Sequence, residues 1–332
     1  MTVLAIGGLT VGGAGKTTLA RWAARASLEK GRRPAILLRG HGASGSTHGP
    51  TIVPIVAPQS PATARLYGDE ALAHRASLPS SVLIVVGKDR WKAARLALDS
   101  GADLAILDDG WEQGTLAWDR LWVALDARHP LGNGRTLPAG PLRRPPRYLR
   151  EANEIVAILE AEDESPARGG EDVRAAGLVL PGLEFGGRAI RFRRVVEGWY
   201  RLRDAPSAAT IPAAPSGPIL LVSSVGAPER LERFLRPLVR GPVVHIAFPD
   251  HDSWDPARIE ASLAALRNEA GAPPIVAATD KDAARAALLP DFGAEVWIVR
   301  SGLRPVDDPT PLLAALSLPP GGPPVAARPP IG

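Results

Sequence analysis

The stretch Thr10-Val-Gly-Gly-Ala-Gly-Lys-Thr17 decides the fold. A short apolar run, Val3 to Ile6, precedes it, and a helical pattern, Thr18 to Lys30, follows. Strand, glycine loop and helix in that order are the setting of a phosphate-binding loop. A helix start presents unpaired backbone N–H groups and the positive end of its dipole. Glycines let the backbone close around phosphate oxygens. On this reading Thr10, Gly12, Gly13, Ala14, Gly15 and Thr18 cradle a nucleotide's phosphates, Lys16 reaches the β- and γ-phosphates, and the Thr17 hydroxyl holds Mg²⁺. The usual pattern begins with Gly where this loop has Thr10, so its entrance is expected to differ in detail.

Outward from the loop, residues 1 to about 127 alternate short apolar runs with helical patterns. Strands are expected at Val3–Ile6, Pro34–Leu38, Val82–Val86, Leu104–Leu107 and Leu121–Leu125, and helices at Thr18–Glu29, Pro61–Ala76 and Trp91–Leu98. The strands read as unbroken apolar runs, the pattern of a parallel sheet covered on both faces. The fold class is therefore α/β, a P-loop NTPase-like, mostly parallel sheet with helices on both faces. Binding residues should gather at the carboxyl ends of its strands. The glycine loop, Arg39-Gly-His-Gly42 and Asp108-Asp-Gly110 all fall there.

Residues 128 to 150 form a long loop rich in Pro, Gly and Arg, and loops of that length inside a compact domain tend to be functional. A strand, Glu154–Leu159, follows, then a polar stretch at 160–176, and residues 186–203 alternate as a β-hairpin or β-linker would. A smaller α/β unit begins near Gly217, with strands at Ile219–Val222, Pro242–Ala247, Pro274–Ala277 and Glu295–Val299. The expected division is a kinase-type domain over 1–200, a linker over 201–216, a smaller α/β domain over 217–316 and a disordered Pro/Gly tail over 317–332.

At 45% hydrophobic and 22% charged residues the composition is that of a globular protein. No run reaches the ~18 apolar residues of a membrane span, and the start reads as a first strand rather than a signal peptide. Cys is absent, which rules out a disulfide framework, a thiolate nucleophile and a Cys–zinc site. Net charge is only +4 and the basic residues cluster in one place, Arg143 to Arg150, so nucleic acid is not an expected partner.

Asp108 and Asp109 end an apolar strand, where an acid of a phosphate-loop protein holds Mg²⁺ opposite the loop Thr. Gly68-Asp69-Glu70 lies at or inside a helical stretch, and taken alone is a helix start favoured by the dipole. His251 lies in a loop after an apolar strand and taken alone is a solvated or structural His. As a pair they matter: phosphoryl transfer to an alcohol needs a base beside the accepting hydroxyl, and a carboxylate from one domain with an imidazole from the other could form it where the two domains meet.

These motifs, in this order, resemble the tetraacyldisaccharide 4'-kinase family, the lipid A 4'-kinases. The resemblance includes Thr at the first loop position, Arg39-Gly-His-Gly42, Gly68-Asp69-Glu70, Asp108-Asp109-Gly110, Asn133-Gly-Arg135 and Leu137-Pro-Ala-Gly-Pro-Leu-Arg143. In the second domain it includes Gly226-Ala-Pro-Glu-Arg230, Asp250-His251 and Thr279-Asp-Lys-Asp282. It spans most of residues 1 to 300. It implies transfer of a phosphoryl group from ATP, with Mg²⁺, to the 4'-hydroxyl of an acylated glucosamine disaccharide 1-phosphate. It further implies Asp69, His251 and Lys16 as catalytic residues, Thr17, Asp108 and Asp109 as metal ligands, and Arg39, Glu70, Gly110, Asn133, Arg135 and Arg143 as substrate contacts. The place of action it implies is the cytoplasm, peripheral on the cytoplasmic face of the inner membrane.

Three departures stand out. The family usually carries an apolar N-terminal segment, whereas this chain starts almost at its first strand, so another surface is expected to meet the bilayer. Glu112 replaces a Gln after Asp-Asp-Gly, and Arg144 replaces an acid beside Arg143. Trp111 and Trp118, with Arg143, Arg144, Arg147 and Arg150, could form that surface, while Trp122, in a strand, reads as core. Two alternatives stay open: a kinase of another sugar or glycolipid, and a nucleotide-binding regulator of the same fold without kinase activity.

Overall fold

The computed structural model describes every residue except 41–42, 45–48, 57–59, 161–187, 205–209, 250–253, 271, 288, 318, 320–321 and 326–332. In chain order its elements are β1 (Thr2–Gly8), α1 (Lys16–Glu29), β2 (Pro34–Leu38), β3 (Thr51–Ile52), α2 (Pro61–Tyr67), α3 (Asp69–Ser77), β4 (Leu83–Val86), α4 (Arg90–Asp99), β5 (Leu104–Asp108) and β6 (Arg120–Asp126). There follow β7 (Glu154–Leu159), β8 (Arg188–Arg201), β9 (Ile219–Ser223), α5 (Pro228–Leu235), β10 (Val243–Ala247), α6 (Pro256–Ala270), β11 (Ile275–Thr279), α7 (Ala283–Ala286), β12 (Val296–Pro305) and α8 (Thr310–Leu316).

All of these strands belong to one sheet, ordered β10-β9-β11-β12-β8-β7-β6-β1-β5-β2-β4-β3. Only β3 against β4 and β12 against β8 run antiparallel. Every residue of β1 is buried, as an apolar strand covered on both faces must be. From β1 the chain passes through α1 to β2, beyond β5 on one side, while β6 flanks β1 on the other. That reversal makes the carboxyl end of β1 the switch point where α/β sheets bind ligands.

Where the alternation at 186–203 allowed a hairpin, the structure has a single 14-residue strand, β8. It pairs in parallel with β7 and in antiparallel with β12, so it sews the strands of the second half onto the first. The interlock is polar as well. Arg21 on α1 donates to Asp280 at 3.3 Å, and the Tyr200 hydroxyl donates to the same carboxylate at 3.2 Å. Arg25 on α1 forks onto Glu197 of β8. Below these contacts Trp22 meets Phe192 edge-on, with ring centroids 4.8 Å apart.

Two further expectations change. The helix expected over Pro61–Ala76 is broken into α2 and α3 at Gly68, whose φ of 87° a residue with a side chain rarely adopts. Part of the stretch after 316 is held in place rather than disordered: the Met1 ammonium donates to the Gly322 carbonyl at 2.6 Å, Trp91 Nε1 to Pro324 at 3.1 Å, and Ala117 N–H to Val325 at 2.9 Å. That segment supplies acceptors to donors that would otherwise turn to water.

Candidate active site

The loop after β1 bends through three left-handed glycines, Gly12, Gly13 and Gly15, with φ of 72°, 55° and 86°. Gly15 is the residue before α1, and a Cβ there would stand 2.4 Å from Ile158 Cδ1. No other residue type fits. Thr10 needs no such freedom. It forms a bridge with Leu142, while Val11 N–H donates to the Pro141 carbonyl at 2.9 Å and Arg143 N–H to Leu9 at 2.8 Å. The loop entrance is thus extended chain laid against the Pro/Gly loop, a role Thr serves better than Gly.

The second half closes over this loop. A Cβ on Gly12 would meet Gly226 Cα at 3.8 Å. Arg230 on α5 donates to the Gly13 carbonyl at 2.8 Å and pairs with Asp126 at the end of β6. Between the halves lies a cleft of about 780 Å³, a size suited to a nucleotide. Gly12 to Thr18, Arg39, Glu70, Asp108, Asp109 and Arg143 reach its wall from the first half, and Thr279 to Lys281 from the second.

Asp108 sits at the carboxyl end of β5, 4% exposed, and its Oδ2 lies 2.9 Å from His74 Nε2 on α3. Burial would raise this carboxyl, but the His74 hydrogen bond, the Thr17 hydroxyl and the Lys16 charge together hold it below the usual range. Burial lowers His74 in turn, so a neutral imidazole donates Nε2–H to an ionised carboxylate. Arg90, pushed down to about 10 by burial, donates to the Asp108 carbonyl at 3.3 Å. Asp109 takes a left-handed φ of 54° and turns outward. It meets Lys16 Nζ at 3.1 Å and Arg143 at 2.8 Å.

Glu70, one helical turn from His74, faces the same cleft. Burial, then the neighbouring Asp108 charge, push it up to about 7, with Asp69 and Asp109 adding to the effect and Lys281 opposing it. Asp69 opens α3 and pairs with Arg285 of α7 at 2.5 Å. His251 lies outside the described residues.

Of the remaining expected contacts, Asn133 organises its own loop, donating to Ala139 O at 3.0 Å and accepting from Arg135 N–H at 3.1 Å. Asn133 and Arg135 are exposed and stand off the cleft wall. Gly110 is a packing position, since a Cβ there would come 2.4 Å from Leu107 Cβ. Both sequence departures have partners. Glu112 meets Arg143 at 3.4 Å. Arg144 meets Glu151 at 3.6 Å and lies over the rings of Trp111 and Tyr148. Trp111 is buried beneath it, 4% exposed, and Trp122 is fully buried. The ring of Trp111 is therefore core and not a membrane anchor.

Sequence reasoning missed His74, Arg90 and Arg285, and met Arg230 and Lys281 only inside family motifs, with no role given to either. For His74 a signal was present: Glu70 and His74 stand four apart, on one helix face.

A phosphate loop at the switch point, a buried carboxylate against its Thr and further carboxylates across the cleft define a P-loop phosphotransferase. Comparison with known proteins makes this specific. The family described as LpxK, tetraacyldisaccharide-1-P 4'-kinase, matches residues 1–317. The chain belongs to that family, and is a kinase. A tetraacyldisaccharide 4'-kinase of Syntrophobacter fumaroxidans is 35% identical over 302 residues, covering 87% of this chain and 72% of the relative. One from Geobacter sulfurreducens is 32% identical over 324 residues, covering 95% and 82%. The fold is similar to that of a crystal structure of "apo" form LpxK from Aquifex aeolicus in complex with ATP. The TM-score is 0.64 at 22% identity, over 95% of this chain and 87% of the other.

Proposed function

We propose that this chain transfers the γ-phosphoryl group of ATP to the 4'-hydroxyl of a tetraacyldisaccharide 1-phosphate. The observation that carries the reading is the convergence, in one cleft, of the phosphate loop with Asp108 and Glu70, beside Asp69. Loop N–H groups and Lys16 hold the donor phosphates. Asp69, with His251 from the second half, takes the proton of the acceptor hydroxyl as its oxygen bonds to phosphorus. The bond to the β-phosphate oxygen breaks and ADP leaves.

A divalent cation suits the donor set. The Thr17 hydroxyl helps to hold the Asp108 carboxylate ionised, and the Asp108 charge that, after burial, raises Glu70 is charge a cation would relieve. Held by Thr17 and Asp108, Mg²⁺ would neutralise phosphate oxygens. In this reading Asp109 serves as the anchor of Lys16 and Arg143 and reaches the metal only through its neighbours. Arg39 and Arg143, on the cleft wall, are the cations placed to meet the anionic substrate.

Among the described residues no helix is long and apolar enough to cross a membrane. The exposed Arg147 and Arg150 offer a peripheral dock on anionic headgroups. Cosedimentation with anionic vesicles should weaken with salt, and salt-insensitive binding would refute the electrostatic dock.

The direct test supplies labelled ATP, Mg²⁺ and the acylated disaccharide 1-phosphate in detergent micelles. Label should appear at the 4' position and depend on Lys16. Intact ATP binding without transfer would refute the reading.

A further inference from the structure

Arg285 has no counterpart in the roles assigned so far, yet its guanidinium lies between two carboxylates. One is Asp69, at 2.5 Å, and the other is Asp282, at 3.4 Å. All three side chains are largely shielded, with Arg285 at 14%, Asp69 at 12% and Asp282 at 0% exposure. Ion pairs at such depth are held in place more firmly than surface ones, because losing one partner strands the other.

Asp282 is itself a hub. It accepts the Thr279 hydroxyl at 2.7 Å and the Ser224 N–H at 3.2 Å. Burial raises it to about 6, so it depends on these donors and on Arg285 to carry its charge. The Ser224 hydroxyl accepts from Trp254 Nε1 at 2.6 Å. Directly after Ser224, Val225 to Ala227 form the loop that rests on Gly12 and Gly13. A continuous set of hydrogen bonds and ion pairs therefore runs from Asp69 through Arg285 and Asp282 to the segment covering the phosphate loop.

We infer that Arg285 is a positioning residue: it aims the Asp69 carboxylate and fixes its distance from the phosphate loop by tying it to Asp282. The inference rests on the proposed transfer reaction, in which Asp69 accepts the acceptor's proton. In-line transfer tolerates little error in that distance. A misplacement of about 1 Å can cost on the order of 100-fold in rate. Arg suits the task because its planar fork binds two carboxylates at once, which Lys, a point charge, does less well.

The test uses the full chain, the micellar transfer assay and calorimetric binding of a non-hydrolysable ATP analogue. Arg285→Met should lower kcat about 10- to 100-fold, with analogue affinity changed by less than about threefold. Arg285→Lys, which keeps the cation and guards against simple misfolding, should recover part of the loss and not all of it, since a point charge cannot span both carboxylates as the fork does. On an Asp69→Asn background, Arg285→Met should cost no more than about twofold further, since residues acting as a unit are not additive. Full additivity overturns the inference. So does equal loss in the Lys and Met variants, or a parallel loss of analogue binding. Unchanged turnover in Asp69→Asn overturns both the base assignment and this inference. No transfer by the unaltered chain refutes the proposed reaction itself, a result distinct from transfer that proceeds without regard to residue 285.

Discussion

Replacing His74 tests the electrostatic design of the site without touching the phosphate loop. His74 is 0% and Asp108 4% exposed, and they meet at 2.9 Å. A hydrogen bond to a charged buried group is worth about 1.5–3 kcal/mol, and full burial places this one toward the upper end. His74→Leu should therefore lose about 2–3 kcal/mol in urea unfolding near pH 7.5. His74→Gln keeps an N–H at similar reach and should lose about 1 kcal/mol.

The pH dependence separates this from simple packing loss. Burial holds His74 neutral in the folded chain, while in the unfolded chain it titrates near 6.5. As pH falls below about 6.5 the unfolded state takes up a proton that the folded state refuses, and stability drops by up to about 1.4 kcal/mol per pH unit. Asp108 is lowered, so its contribution is present above the unfolded carboxylate value of about 3.9 and is lost only below it. Between about pH 7.5 and 5.5 Asp108 adds nothing to the slope, while Glu70 and Asp282, raised to about 7 and about 6, add stability as pH falls in parent and variant alike. The difference between the two therefore carries His74, and the parent should lose stability relative to His74→Gln as pH falls across that window. Parallel slopes, or a cost below about 0.5 kcal/mol for His74→Leu, would refute the neutral-donor arrangement.

Three further outcomes follow from the same geometry. Glu70 is raised to about 7, so its folded form holds a proton that is lost with a stability cost as pH rises from about 4.5 toward 7. Glu70→Gln should be more stable than the parent near pH 8 by on the order of 2 kcal/mol, read by urea unfolding, while turnover falls. Gly15→Ala must place its Cβ 2.4 Å from Ile158 Cδ1 at φ 86°, whereas Gly134→Ala, at φ 75°, meets nothing within 4 Å. Both should lose about 1 kcal/mol to backbone strain, but only Gly15→Ala should lose nucleotide binding in calorimetry. Glu112 is 37% exposed where it meets Arg143, and such pairs are worth about 0–1 kcal/mol. Glu112→Gln should leave turnover within about threefold of the parent, and a large gain or loss would mean that Glu112 acts on the metal site directly.

What the sequence reveals is what is contiguous. The phosphate loop, the acids ending β5 and Gly68-Asp69-Glu70 each lie within a few residues, so local pattern and strand-end placement suffice to find them. β8 was half legible: its alternation signalled strand, but pairing with β7 and β12 depends on partners about 30 and 100 residues away. Arg230, Arg285 and His74 act through contacts formed only when helices from distant parts of the chain pack together. Arg is frequent here, and nothing local separates Arg285 from the arginines that remain in solvent. Thr10 shows the converse. Its mismatch with the usual loop pattern was plain, while its cause, a bridge to Leu142, lies 132 residues away.

The two substitutions that set this chain apart from its family's pattern point the same way once their neighbours are known. An extra carboxylate at 112 beside a metal site would be disruptive if it stood alone, and an extra cation at 144 would repel Arg143. Instead Glu112 shares Arg143 with Asp109. Arg144 turns to Glu151, the same carboxylate that accepts Trp111 Nε1–H at 2.9 Å, and covers the Trp111 and Tyr148 rings. Each new charge is answered by an opposite one already in place, so neither is imposed on Asp108 or Thr17. The substitutions alter the rim that carries Arg143, where the proposed reaction brings the acceptor, and leave the buried pair of Asp108 and His74 untouched. On the proposed reaction these two residues are therefore expected to bear on acceptor preference and to leave phosphoryl transfer intact.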